Sequence, residues 1–224
     1  MAFVGFAPSY WVPMVSGSLN VAPLFHIHGA IFFAWTLFLL LQTSLVAGGR
    51  TIRHRELGMA GIALATAMVL VGLAVAVRSM NDGVALGVGH ARAFSLVSLS
   101  GIAFFAVAFG YAVANVTRPE VHKRAMMLAS VSLLQPAVGR WFALFVAPPG
   151  AIGPPPVPAS VAPGLVSDLL LIALVVHDWR TRGRVHRVYV LGGIVLVALQ
   201  LLRVPLSATP AWLAMADWIA GLAR

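Results

Sequence analysis

Apolar runs of about twenty residues recur from one end of this chain to the other, and that recurrence fixes more than any motif does. They occupy 24–48, 57–77, 91–115, 121–146, 161–176 and 188–207, with a shorter one at 2–14. A hydrocarbon core about 30 Å thick requires about 20 apolar residues of helix to cross it. Because lipid offers no hydrogen bonds, an isolated crossing segment must satisfy its own backbone, so each run reads as a helix. Of the 224 residues 60% are hydrophobic and 9% charged, a balance outside that of soluble domains. The expected architecture is all-α: a polytopic membrane helix bundle of about seven spans over a single transmembrane domain, 1–224. The first span is short, and spans two to five form a central four-helix bundle. The short first run is either a half-helix leaning on its neighbours or the end of a segment that begins upstream. From Met1 to Asn20 there is no basic residue, so the start lacks the basic region of a signal peptide and is expected to belong to the mature protein.

Charge then orients the spans. The formal net charge is +9, from 15 Lys and Arg against six acids. Ten of the 15 fall in three short segments: Arg50, Arg53 and Arg55; Arg118, Lys123 and Arg124; Arg180, Arg182, Arg184 and Arg187. Such alternation is a topology signal and not a nucleic-acid surface. Loops near 50–56, 116–124 and 178–187 are therefore expected in the cytoplasm, and the proline-rich run 148–158 outside, with the protein in a bacterial inner membrane. Thr117 and Glu120 have the spacing of a capping box at the start of span five. Trp212 and Trp218 suit an interfacial tail. Membrane lipid is the expected partner of such a chain, with an oligomer or a larger complex as a further expectation.

There is no cysteine among the residues, which removes disulfides, thiolate-held iron–sulfur clusters and covalently attached haem. Seven histidines remain, and they sort to span ends. His26, His28 and His90 lie at the external ends of spans two and four; His54, His122, His177 and His186 lie at the internal ends. In a four-helix bundle, imidazoles from diagonal helices can meet across one iron atom, the way bundles hold bis-histidine haem b. The pairs are His26 or His28 with His90 outside, and His54 with His122 inside. Residues two apart on a helix point about 200° apart, so His26 and His28 cannot both face one centre. Gly29, Gly58, Gly61 and Gly101 offer room near these ligands. His177 and His186 flank a basic loop and are expected to line it.

The stretches Phe6, Ala7, Pro8; His26, Ile27, His28, Gly29; Gln42, Thr43, Ser44, Leu45; His54, Arg55, Glu56, Leu57, Gly58; and Glu120, Val121, His122, Lys123, Arg124 resemble an uncharacterised family of bacterial multipass membrane proteins over nearly the whole chain. That family brings no established activity. The alternation of histidines over spans two to five is similar to that of the transmembrane dihaem cytochromes b, the ascorbate-reducible and quinol-linked electron carriers. This second resemblance implies haem b at both membrane faces and a quinone or redox protein as partner.

A second constellation lies in the outer half. Arg140 stands 18 residues beyond His122, about 27 Å along a continuous helix, and Asp168, Gln200 and Arg203 fall at a similar level. Charges at such depth face the bundle interior and mark sites or ion pairs. Asp168 is expected to pair with Arg140 or Arg203, or the two arginines to bind haem propionates, a quinone or a carboxylate. A further alternative is a zinc, iron or copper site built from His26 or His28, His90 and Asp168. Three functions follow: a haem-b transmembrane electron carrier, a non-haem metal-dependent membrane enzyme or metal handler, and a structural or assembly subunit of a membrane complex.

Overall fold

The computed structural model describes residues 2–148 and 150–222. In chain order the elements are α1 (Ala2–Gly5), a π-turn (Ala7–Trp11), α2 (Val12–Val15), α3 (Pro23–Ala47), α4 (Thr51–Glu56), α5 (Gly58–Ala85), α6 (Ala91–Ala114), α7 (Pro119–Ser132), α8 (Gln135–Val146), a 3-10 turn (Val157–Ser160), α9 (Val161–Arg182), α10 (Arg187–Ser207) and α11 (Pro210–Gly221). Among the described residues there is no strand.

Among the described residues six helical stretches are long and apolar enough to cross a membrane: Pro23–Ala47, Thr51–Ala85, Ala91–Ala114, Pro119–Val146, Val157–Arg182 and Arg187–Ser207. The seventh expected span is missing as a continuous helix. Pro8 and Pro13 lack the N–H that helix propagation needs, and the run 2–14 is divided into three short pieces. These lean on α3 and α8. Trp141 Nε1 donates to the Val4 carbonyl at 3.0 Å, Phe3 packs on Phe33 with ring centroids 4.4 Å apart, and Gly5 lies so close to α8 that a Cβ there would come within 2.5 Å of the Ala137 Cβ.

Proline also divides the fourth span. Pro136 has no N–H for the Ser132 carbonyl, and the helix is interrupted at Leu133 and Leu134 before α8 resumes. Pro23, Pro119 and Pro210 open helices at the first turn, where the missing donor costs nothing, while Pro205 lies inside α10, close to its end at Ser207. Gly183 ends α9 in the left-handed conformation, φ 66°. The expected Thr117 capping box does not form: Arg118 is the N-cap of α7, and no side chain caps it. Glu120 is drawn into ion pairs instead.

Without a hydrophobic force between helices in lipid, close approach at small residues supplies the packing. One core cluster draws Trp35 from α3, Ala65 and Met68 from α5, Phe105 and Ala108 from α6, and Ala129 from α7. A second joins Leu128 and Val131 to Leu171 of α9 and to Tyr189 and Leu196 of α10. At Gly61 a Cβ would come within 2.8 Å of the Phe38 ring. Large apolar side chains such as Leu40, Leu70, Val107, Ile172 and Leu191 point outward, the face that lipid covers.

The three basic segments gather at one end of the helices. There Arg124, 1% exposed, donates from Nε and Nη2 to the two carboxylate oxygens of Asp178, itself 3% exposed. Its Nη1 reaches Glu120 at 2.6 Å, and Arg182 reaches the same carboxylate at 2.6 Å. The Tyr189 ring lies 5.8 Å from the Arg124 guanidinium carbon. A buried pair with both partners satisfied ties α7 to α9, whereas removing one partner strands a buried charge, at a cost of about 3–5 kcal/mol. Asp178→Ala should therefore lower the unfolding temperature in detergent markedly, while Asp82→Asn, whose partner Arg78 is exposed, should leave it unchanged.

Candidate functional site

At the same end, two histidines from different spans come together. His54 sits on the short α4 and His122 on the first turn of α7, and their rings lie 6.2 Å apart, centroid to centroid, at 74°. Among the described residues this is the one histidine–histidine ring contact. Each ring is held through Nδ1. His122 Nδ1 lies 2.9 Å from the Ala112 carbonyl oxygen, which can only accept. His54 Nδ1 lies 3.0 Å from Gln42 Oε1, while the Gln42 amide donates back to the His54 carbonyl at 3.3 Å. Gln42 is 9% exposed. Both Nδ1 atoms are thus donors, and the lone pair of each neutral ring is on Nε2. Hydrogen bonding of one imidazole nitrogen fixes the tautomer and orientation of a metal-ligating histidine in this way. Gly58 is open around its Cα, with nothing within 4 Å of a Cβ built there, and Arg50, Thr51, Arg53 and Glu56 line a concavity beside α4.

The outer histidines part company. His90 Nε2 is 2.6 Å from the Pro154 carbonyl, so this ring pins the proline-rich loop to the start of α6. His26 Nδ1 is 2.7 Å from the Tyr10 hydroxyl, on the exposed side of α3. His28 packs on Phe32, ring centroids 4.2 Å apart, and its buried Nδ1 has no hydrogen-bond partner. The described contacts join neither His26 nor His28 to His90. Among the described residues no three His, Asp or Glu side chains gather as a metal ion would require, and His26, His28, His90 and Asp168 are spread over separate contacts.

The outer charges also divide in two. Arg140 donates from Nη1 to the Pro136 carbonyl at 2.8 Å, and its guanidinium carbon lies 4.0 Å from the centre of the Phe6 ring. It anchors the N-terminal segment. Arg203, 2% exposed, donates from Nε to Ser100 Oγ at 2.8 Å and from Nη1 to Gln135 Oε1 at 2.9 Å. Gln135 in turn donates to the Ser160 carbonyl at 2.8 Å. The expected ion pair of Asp168 with Arg140 or Arg203 is not formed: both Asp168 oxygens lack a hydrogen-bond partner, although Gln200 and Arg203 are its polar neighbours. The guanidinium of Arg203 is committed to neutral oxygens on α6 and α8.

Sequence reasoning missed Asp178 and Gln42. Asp178 is an acid inside the most basic segment, and its isolation there was the available signal. Gln42 is a carboxamide in an otherwise apolar span, spaced twelve residues from the histidine it orients.

His177 stays in the body of α9, whereas His186 is the N-cap of α10, where its Nδ1 accepts the Val188 N–H at 3.2 Å. Burial, with help from the Arg124 charge, holds its pKa below the ordinary 6.5. The folded form therefore resists a proton that the unfolded chain accepts, so the cap stabilises fully above about pH 6.5 and its contribution falls as the medium is acidified. Lowering the pH from 8 to 5 should reduce thermal stability, and His186→Asn, which keeps a capping oxygen, should flatten part of that dependence. No family model, curated protein or solved structure matches the chain.

Proposed function

We propose that this protein is a multipass membrane electron carrier that holds haem b between His54 and His122, at the end of the bundle where the basic segments meet. The observation that carries the reading is the pair itself: two imidazoles from different spans, each hydrogen-bonded through Nδ1 to a carbonyl oxygen, which leaves both Nε2 atoms for a ligand. Neutral imidazole is a haem-iron ligand, and the iron would supply one-electron redox chemistry. The chain's own residues set the conditions. Gln42 and the Ala112 carbonyl orient the rings, and Arg50, Arg53 and Arg55 are the nearby cations suited to propionate carboxylates. By the bias of basic residues toward the cytoplasm, this end faces the inside of a bacterial inner membrane, and a quinone or a redox protein would exchange electrons there. The outer histidines enter this reading as structural groups, with His90 holding the loop, so it requires one haem per chain and not two.

The test is an absorption titration of detergent-solubilised protein with iron protoporphyrin IX. The expected result is saturation at one haem per chain, with a sharp Soret band and resolved reduced peaks. Both features should be lost in His54→Ala or His122→Ala and kept in His90→Ala. Gln42→Leu, which frees one ring, should weaken binding by about 10–100-fold. A flat spectrum with a stoichiometric zinc or copper ion dependent on the same two histidines would replace haem with a bare metal site. A chain that takes up neither would be a structural or assembly subunit.

A further inference from the structure

Six acids are present in the chain, and five have an evident means of keeping their charge. Asp82 pairs with Arg78, Asp217 with Arg92, Asp178 with Arg124, and Glu120 with Arg124, Lys123 and Arg182. Glu56 is exposed. Asp168 alone is buried, 6% exposed, with neither carboxylate oxygen hydrogen-bonded. The Oε1 of Gln200, 2% exposed, is also unpartnered. The stranded atoms are acceptors, and the polar side chains that face the carboxylate are the carboxamide of Gln200 and the guanidinium of Arg203. The charged group facing it is Arg203, whose Nε and Nη1 are engaged by Ser100 and Gln135.

The packing limits what else can reach these groups. A Cβ on Gly164, one turn before Asp168 on α9, would come within 2.9 Å of the Gln200 carboxamide carbon, so α9 and α10 meet directly over the cluster. A fixed guanidinium nearby also disfavours a metal cation. We propose that Asp168 is a proton-binding site within the bundle, which takes up and releases a proton toward the end that carries the proline-rich loop. Asp168 lies seven residues into α9, about 10 Å from that end, and 14 residues, about 21 Å, from Arg182 at the basic end. Protonation removes an isolated, buried charge from lipid depth. The haem reading concerns other residues at the other end, and haem-free protein serves to test this one.

The experiment is infrared difference spectroscopy of the protein in lipid films over a pH series, in sodium-containing and sodium-free buffer. The expected result is the carbonyl stretch of a protonated carboxyl at neutral pH. It should shift on exchange into D2O and on carbon-13 labelling of aspartate in the unmutated chain, disappear at high pH, vanish in Asp168→Asn and persist in Glu56→Gln. No such band at neutral pH would overturn the proposal, as would a band that survives Asp168→Asn or fails to respond to D2O. A band seen only when sodium is withheld would make the site one for a metal cation and overturn it equally. The aspartate label needs no variant, so the result stands even if Asp168→Asn folds poorly.

Discussion

Hydrocarbon supplies no hydrogen bonds, and every part of this structure follows from that. Backbone groups are satisfied inside helices, which is why six long helices dominate and why the fourth of them is interrupted just before Pro136. Buried polar side chains must likewise find partners within the protein. Arg124 and Asp178 do so completely, with Glu120 and Arg182 around them, and they bind the basic ends of α7 and α9 into one unit. Arg203 does so through the neutral oxygens of Ser100 and Gln135. Asp168 does not, which sets it apart from every other acid in the chain.

His26, His54, His90 and His122 follow the same rule at the ends of the bundle, where the partners are a hydroxyl, a carboxamide or a backbone carbonyl, whereas the buried Nδ1 of His28 has none. His90 takes the Pro154 carbonyl and His26 the Tyr10 hydroxyl, and these contacts hold the segments around the opposite end of the bundle. His54 and His122 differ because their Nδ1 partners leave the two rings beside each other. An arrangement that orients imidazoles while sparing Nε2 suits ligation, whereas the His90 arrangement, engaged through Nε2, suits attachment.

Helical, multipass architecture was legible in the apolar runs because the required span length and the demand for internal hydrogen bonding leave few solutions. The grouping of basic residues at one end was legible from their alternation. The first run, short from the outset, is not among the six long helices, and its pieces lean on α3 and α8, one of the two arrangements its length allowed. The capping box at Thr117 does not form because α7 opens at Pro119 with Arg118, not Thr117, at the N-cap, and Glu120 faces Lys123, Arg124 and Arg182.

The sequence by itself determined the helices, their approximate limits and which residues had to be reconciled with lipid, since these depend on composition and on near neighbours along the chain. Only the tertiary structure decided the pairings: His54 with His122 and not His28 with His90, Arg124 with Asp178 and not Arg203 with Asp168. Those choices depend on which faces the helices turn to one another. That is set by the fit of side chains such as Trp35, Phe105 and Leu128 against small residues across the bundle, contacts between positions far apart in the chain that no local spacing encodes.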